Sequence, residues 1–114
     1  MTEINELLAK LKELDPETFD EWRYVYRGNW EGAEYKPGVK LERTDLWLLR
    51  GVIQETIESN GYFYDIFNPN FDSSLKKTYR AVIRRLGCIR LSSDGDTPAE
   101  ALLRAYITAL EAES

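Results

Sequence analysis

The strongest constraint on the fold is a change in hydrophobic periodicity near Asn60. Before it, apolar residues at helical spacing follow Thr44-Asp45, which predicts a helix over 45–60 with Asn60-Gly61 as its stop. After it, residues 62–67 are rich in Tyr and Phe and run into Asn-Pro-Asn, which predicts a strand. A helix followed directly by a strand predicts a fold that contains both kinds of element, and we expect an α+β fold.

Two further helices are predicted towards the ends of the chain. Leucines and an isoleucine at helical spacing, separated by Glu and Lys, predict a helix over 3–14. Thr97-Pro98-Ala99-Glu100 supplies a cap, a first helical residue and a capping box for a helix over 98–112. The predicted architecture is therefore a small antiparallel sheet packed with helices 45–60 and 98–112, together with the N-terminal helix.

The segment 22–42 fits more than one element. Trp22, Tyr24 and Tyr26 alternate with other residues, which favours a hairpin or a strand plus loop. The competing interpretation is a helix that begins at Asp15-Pro16 and continues through Tyr26, because Phe19, Trp22 and Tyr26 also fit helical spacing.

Residues 72–86 are also ambiguous. Periodicity slightly favours a helix that Asp72 would cap and Gly87 would end. Alternation over Thr78 to Ile83 suits a strand instead, with Tyr79, Ala81 and Ile83 on one face.

The length of 114 residues and a hydrophobic content of 43% predict one domain, 1–114, in which 1–42 could be an N-terminal extension to a 43–112 core. A single cysteine, Cys88, can form no intramolecular disulfide. The N-terminus lacks the features of a signal peptide, and no run approaches the roughly 20 apolar residues that span a bilayer. We therefore expect a cytoplasmic protein with no membrane contact.

The chain contains no histidine, which limits its chemistry. Ser–His–Asp and Cys–His catalytic arrangements are excluded, and a zinc site cannot be built in practice from one cysteine and carboxylates. We assign no catalytic residue, no metal and no cofactor. The composition instead favours a small non-enzymatic protein that works by binding.

Three segments within about 43–111 form a recognisable set: Arg43-Thr44-Asp45-Leu46 at a helix start, the Tyr and Phe strand, and the segment from Asp96-Thr97-Pro98 to Ala105. Together these segments resemble the phage ABA-sandwich family. These are small phage and prophage proteins of undefined activity. The resemblance implies a helix, a short antiparallel sheet and an alanine-rich C-terminal helix, with 78–91 as strand. It implies no catalytic residues.

Charge is unevenly distributed along the chain, whose net charge is −5. Between Ser73 and Ser93 there are 6 bases and no acid, whereas the rest of the chain has 9 bases and 20 acids. This pattern predicts a site for a nucleotide or a nucleic-acid backbone. The alternative is that the bases pair with the protein's own acids, such as those between Glu3 and Glu21. The candidate phosphate-binding residues are Lys76, Lys77, Arg80, Arg84, Arg85 and Arg90.

A second candidate surface lies in the N-terminal third. Closely spaced acids there could imitate phosphates and occupy a basic surface of a host protein, and the aromatic row beside them could contact a partner or a second copy in a homodimer. The alternatives are a solvated acidic face and a row of core aromatics. The candidate partner-binding residues are Asp15, Glu17, Asp20, Glu21, Trp22, Tyr24, Tyr26 and Trp30. The predicted function is therefore inhibition of a host protein by a phage-type binding protein, with nucleotide or nucleic-acid binding by 76–90 as the alternative.

Overall fold

The computed structural model describes residues 3–67, 78–85 and 91–113 of the chain. Its elements, in chain order, are α1 Glu3–Leu14, α2 Pro16–Asn29, α3 Arg43–Ser59, β1 Tyr62–Phe67, β2 Tyr79–Arg85, β3 Leu91–Gly95 and α4 Pro98–Glu113. The described residues thus form an α+β fold of helices around a small sheet, as the sequence predicts. None of the helices in these ranges has the length and apolarity needed to cross a bilayer.

The sheet is antiparallel with strand order β1-β2-β3, so β2 is central. Alternate residues of β2 point to opposite faces. Ala81 and Ile83 lie in the main hydrophobic cluster on the helical side. On the opposite side, Arg84 is paired with Phe63 of β1, and Arg80 with Asp94 of β3. One face of the sheet therefore belongs to the core and the other presents charged and aromatic side chains.

Helix α4 is the centre of the core because it contacts all three strands and also α1 and α3. Its residues are apolar nearly all round the helix, as expected for a helix enclosed by other elements. The buried ones are Ala99, Ala101, Leu102, Leu103, Ala105, Tyr106, Ile107 and Ala109. Side chains of α1 and α2 lie in the same hydrophobic cluster as those of α4.

The join between β3 and α4 depends on a glycine. A Cβ atom on Gly95 would lie 2.6 Å from the backbone nitrogen of Ala101, closer than non-bonded atoms approach. The helix itself begins as predicted: the Thr97 hydroxyl accepts a hydrogen bond from the Glu100 backbone nitrogen at 3.1 Å. The Glu100 carboxylate accepts from the backbone nitrogen of Asp96, one residue earlier than in the predicted capping box.

The predicted hairpin or strand over 22–42 is wrong, because Pro16–Asn29 is one helix. The Asp15 side chain caps it by accepting a hydrogen bond from the Thr18 backbone nitrogen at 3.3 Å. Helical spacing places Phe19, Trp22 and Tyr26 together on the buried face. The competing interpretation in the sequence was the correct one, and burial of three aromatic side chains on one face is the physical reason.

The ambiguous segment 72–86 is a strand where the structure describes it. Residues 79–85 form β2, which confirms that part of the strand 78–91 implied by the phage-family resemblance and contradicts the helix that periodicity favoured. The central position of β2 explains its pattern, because Val82, on the face opposite Ala81 and Ile83, is also buried, and three consecutive buried residues hide the alternation of a strand. The rest of the ambiguous segment, residues 72–77 and 86, lies outside the described residues. Cys88 also lies outside them.

Candidate binding surfaces

The bases of the predicted phosphate site that the structure describes are paired with acids of the sheet. Arg80 donates to both carboxylate oxygens of Asp94, from Nε at 2.8 Å and from a terminal nitrogen at 3.3 Å, and this pairing lowers the pKa of Asp94. Arg84 donates to Asp65 at 3.1 Å. These pairs match the alternative that the bases neutralise the protein's own acids, although the acids are on neighbouring strands. Lys76, Lys77, Arg90 and the side chain of Arg85 lie outside the described residues, so a phosphate site at 76–90 stays a prediction.

The aromatic row of the second predicted surface is divided between the core and solvent. Trp22 and Tyr26 are buried and pack against Tyr35, with ring centroids 6.1 and 5.6 Å away from it. Their assignment as partner-contacting residues is therefore wrong, because a helix turns them inward. Tyr24 is 79% exposed and Trp30 43% exposed, so only these two of the row reach the surface.

Three of the four predicted acids come together in a groove between α2 and α3. This acidic groove has a volume of about 730 Å³, and none of the described residues that line it is a base. The fourth acid, Asp20, lies outside it and pairs with Arg23 at 3.6 Å. The groove is lined by Asp15, Glu17, Thr18, Glu21, Glu55, Thr56, Glu58, Ser59 and Asn60.

Asp15 has a structural role at one end of the acidic groove. Its carboxylate accepts hydrogen bonds of 2.6 Å from the hydroxyl groups of both Thr18 and Tyr106, in addition to capping α2. Burial is the largest single influence and would raise the pKa of Asp15, but these hydrogen bonds together outweigh it and lower the pKa. Asp15 is therefore held as an anion by the fold itself.

The other four carboxylates of the groove have no such partners in the part of the chain that the structure describes. Glu17 and Glu21 are one helical turn apart on α2, and Glu55 and Glu58 are one turn apart on α3. No described base forms an ion pair with any of them. The α3 pair was missed in the sequence. The only signal was the spacing of two acids on the polar face of the predicted helix, and their position beside α2 depends on the tertiary fold.

A second concavity lies at the opposite end of α3 and was also missed. This Trp47 pocket has a volume of about 570 Å³ and is mostly apolar. Arg43, Trp47 and Arg50 line it from α3, and their spacing of four and three residues places them on one helical face. The other lining residues are Thr44, Leu46, Tyr79, Asp96, Thr97, Pro98 and Ala99.

The two arginines of the Trp47 pocket differ from the others in the described part of the chain. Arg23, Arg27, Arg80, Arg84 and Arg104 each form an ion pair with an acid. Arg43 and Arg50 form none with a described residue, and the Arg50 Nε donates a 3.2 Å hydrogen bond to the Gln54 side chain. Both unpaired guanidinium groups therefore border the same pocket.

Comparison with known proteins identified no relative of this chain. Within the described ranges, no group of three or more Cys, Asp or Glu side chains is arranged to hold a metal ion. No family model, curated protein or solved structure matches this chain.

Proposed function

We propose that this chain is a small non-enzymatic binding protein that docks a basic surface of another protein in the acidic groove. The observation that carries the proposal is the convergence of Glu17, Glu21, Glu55 and Glu58 on one concavity where no described base compensates them. Two of the acids predicted from the sequence as partner-binding, Glu17 and Glu21, belong to this set.

Electrostatics supports the groove as a docking site. Like charges one helical turn apart destabilise a helix by about 0.2–0.5 kcal/mol per pair, and both α2 and α3 carry such a pair. A groove lined by one sign of charge concentrates the field and attracts an oppositely charged partner. Glu17 itself suits the first turn of α2, but the repulsion within each pair would be relieved by a cationic surface, which favours a complex.

The spread of the carboxylates favours a polypeptide partner. They are distributed over two helices, and no three described acids are grouped to hold one metal ion. Lysine and arginine side chains of a partner could each meet a separate carboxylate, and the hydroxyl groups of Thr18 and Thr56, 3.4 Å apart, lie between the two acidic helices. This arrangement fits several cations at fixed spacing better than a single ion.

The absence of histidine supports a binding role. Any reaction would depend on carboxylate, lysine or tyrosine groups, and the carboxylate with the most hydrogen bonds in the groove, Asp15, is engaged in capping α2. By covering a basic functional surface, the chain would inhibit the protein that carries it. The resemblance to small phage proteins favours a host protein as the target.

A charge-reversal experiment tests the acidic groove. The probe is a lysine- and arginine-rich peptide, with an uncharged peptide of equal length for comparison, and binding is followed by calorimetry at low and high salt. Wild type should bind the basic peptide and lose affinity as salt rises. E21K/E55K places one base on each wall and should abolish binding.

The matched control reverses the same number of charges elsewhere. E6K/E13K alters two exposed acids of α1 and gives the same net charge as the groove variant. It should retain most of the wild-type affinity. Equal loss in both variants would show that net charge alone attracts the peptide, and the groove would then have no role of its own.

A further inference from the structure

We propose that the Trp47 pocket binds a nucleotide, with its base stacked on Trp47 and its phosphate held by Arg43 and Arg50. This site is separate from the acidic groove, and its ligand has the opposite charge from a partner of that groove. It also differs from the phosphate site predicted at 76–90, since neither of the described bases of that site, Arg80 and Arg84, lines it.

The size and lining of the pocket suit a small molecule. Ligand sites generally have volumes of roughly 300–1,000 Å³ and are mainly apolar, with a few polar groups that fix orientation. The Trp47 pocket, at about 570 Å³, lies in the middle of that range, and Leu46, Pro98 and Ala99 contribute apolar surface. A mononucleotide fits this scale.

The charge of the pocket selects an anion. Arg43 and Arg50 have no acidic partner among the described residues, whereas Arg80 and Arg84 on the sheet are each engaged by a carboxylate. An unpaired guanidinium offers several donors in a plane and is well suited to phosphate oxygens. Their positions seven residues apart on α3 correspond to a rise of about 10 Å, which places one on each side of Trp47 along the helix.

The aromatic surface of the pocket selects a planar ring. Trp47 is 70% exposed, in contrast to the fully buried Trp22, so most of its indole is available for contact. The Arg50 guanidinium carbon lies over the indole ring, 5.9 Å from its centre, so a cation covers one face of the ring and we assign the base to the other face. A base and its phosphate are joined through a sugar, so a neighbouring ring and cation match the two ends of one nucleotide.

The wall opposite α3 adds polar groups suited to the rest of the ligand. Tyr79 supplies a second aromatic ring, and Asp96 supplies a carboxylate without an ion pair to any described base. A carboxylate there would repel phosphate and accept hydrogen bonds from sugar hydroxyl groups or base amines. The phosphate is therefore assigned to the arginine side of the pocket.

The test measures affinity for the parts of a nucleotide and for the whole. Calorimetric titrations with AMP, GMP, CMP, UMP, adenosine and inorganic phosphate, together with Trp fluorescence, should show that at least one nucleotide binds more tightly than both adenosine and phosphate. A short single-stranded oligonucleotide distinguishes the source of the ligand: tighter binding than the mononucleotide assigns the pocket to nucleic-acid strands, and equal or weaker binding to free nucleotides.

Variants then locate the binding site. R43Q/R50Q and W47A should each weaken nucleotide binding about tenfold or more, since they remove the phosphate donors or the stacking surface. R23Q/R27Q removes the same two charges from exposed positions on α2 and should leave affinity within about twofold of wild type. W47A should also remove most of the ligand-dependent fluorescence change. No binding of any nucleotide, or equal affinity of wild type and R43Q/R50Q, would overturn the proposal.

Discussion

Replacement of Asp45 by alanine should be among the most destabilising single changes in this chain. Asp45 is fully buried near the start of α3 and joins that helix to the end of α2. One carboxylate oxygen accepts hydrogen bonds from the Asn29 amide at 3.0 Å and the Trp30 indole nitrogen at 2.6 Å, and the other accepts from the Glu42 backbone nitrogen at 2.8 Å. Three donors from three residues therefore depend on one side chain.

The magnitude follows from the number of hydrogen bonds lost. Hydrogen bonds to a charged group contribute about 1.5–3 kcal/mol each, but the exposed Asn29 and Trp30 can bond to water after the change. We therefore expect D45A to lower the free energy of unfolding by about 3–4 kcal/mol, out of a total of roughly 5–15 kcal/mol. D45N can keep one oxygen facing Asn29 and Trp30, but it turns an amide donor towards the Glu42 backbone N–H, which is also a donor. We therefore expect D45N to lower the free energy of unfolding by about 2 kcal/mol. W30F removes only one of the three donors and should lower the free energy of unfolding by about 1 kcal/mol.

Equilibrium unfolding in urea, followed by far-UV circular dichroism, measures this series. D45A should also lower the melting temperature by roughly 12–16 °C for a chain of this length. The control is D20N, which removes the same charge from an exposed ion pair and should cost less than about 0.5 kcal/mol. A cost for D45A no greater than that of D20N would refute the assigned role, and so would a cost for W30F that exceeds that of D45A.

Three further predictions concern packing and protonation. G95A should destabilise the fold by about 1–3 kcal/mol in urea unfolding, because its new methyl group would meet the backbone nitrogen of Ala101, which cannot rotate away. Y106F should lower the free energy of unfolding at neutral pH by about 1–2 kcal/mol, because it removes the hydrogen bond to Asp15. The lowered pKa of Asp15 stabilises the fold fully only at a pH above the ordinary value of 3.8, so the difference between Y106F and wild type should shrink as the pH falls below 3.8. Burial raises the pKa of Tyr35 from 10.0 to about 12, so wild type should lose stability as pH rises from 10 towards 12, and Y35F should show a less steep loss over the same range.

The helices outside 22–42 and the first strand could be predicted because their signals are local. Caps and stops lie within a few residues of the helix ends they define, as at Thr97 and Asn60. The segment at Trp22 is different, because Trp22, Tyr24 and Tyr26 alternate while Phe19, Trp22 and Tyr26 share a helical face. The helix is distinguished from the strand by the packing of Tyr35 against Phe19, Trp22 and Tyr26, which is a contact between residues distant in sequence. Local pattern cannot supply that contact.

The candidate sites were predictable only in part, for the same reason. Glu17 and Glu21 were visible as an acidic run, but their groove is completed by Glu55 and Glu58, which the packing of α2 on α3 brings to the other wall. The Trp47 pocket likewise needs α4 and β2 to form its far side. A helical wheel of 45–60 could have identified Trp47 as an aromatic residue that lies off the apolar face formed by Leu49, Val52 and Ile53. An aromatic residue outside the core face of a helix is therefore the signal to seek in similar chains.

The charges of α3 support a functional origin for both sites. A helix is stabilised by acids in its first turn and bases in its last, each worth about 0.3–1 kcal/mol. Helix α3 has Arg43 at its first residue and Glu58 in its last turn, with no base in that turn, so both charges oppose the helix dipole. Asp45 fits the favourable arrangement but is engaged in holding α2. Arg43 and Glu58 thus do not stabilise their own helix, and neither is neutralised by an ion pair to a described residue. They lie in the Trp47 pocket and the acidic groove, so the two sites coincide with the places where α3 departs from its most stable sequence. Such departures are expected where binding, and not folding, determines the residue.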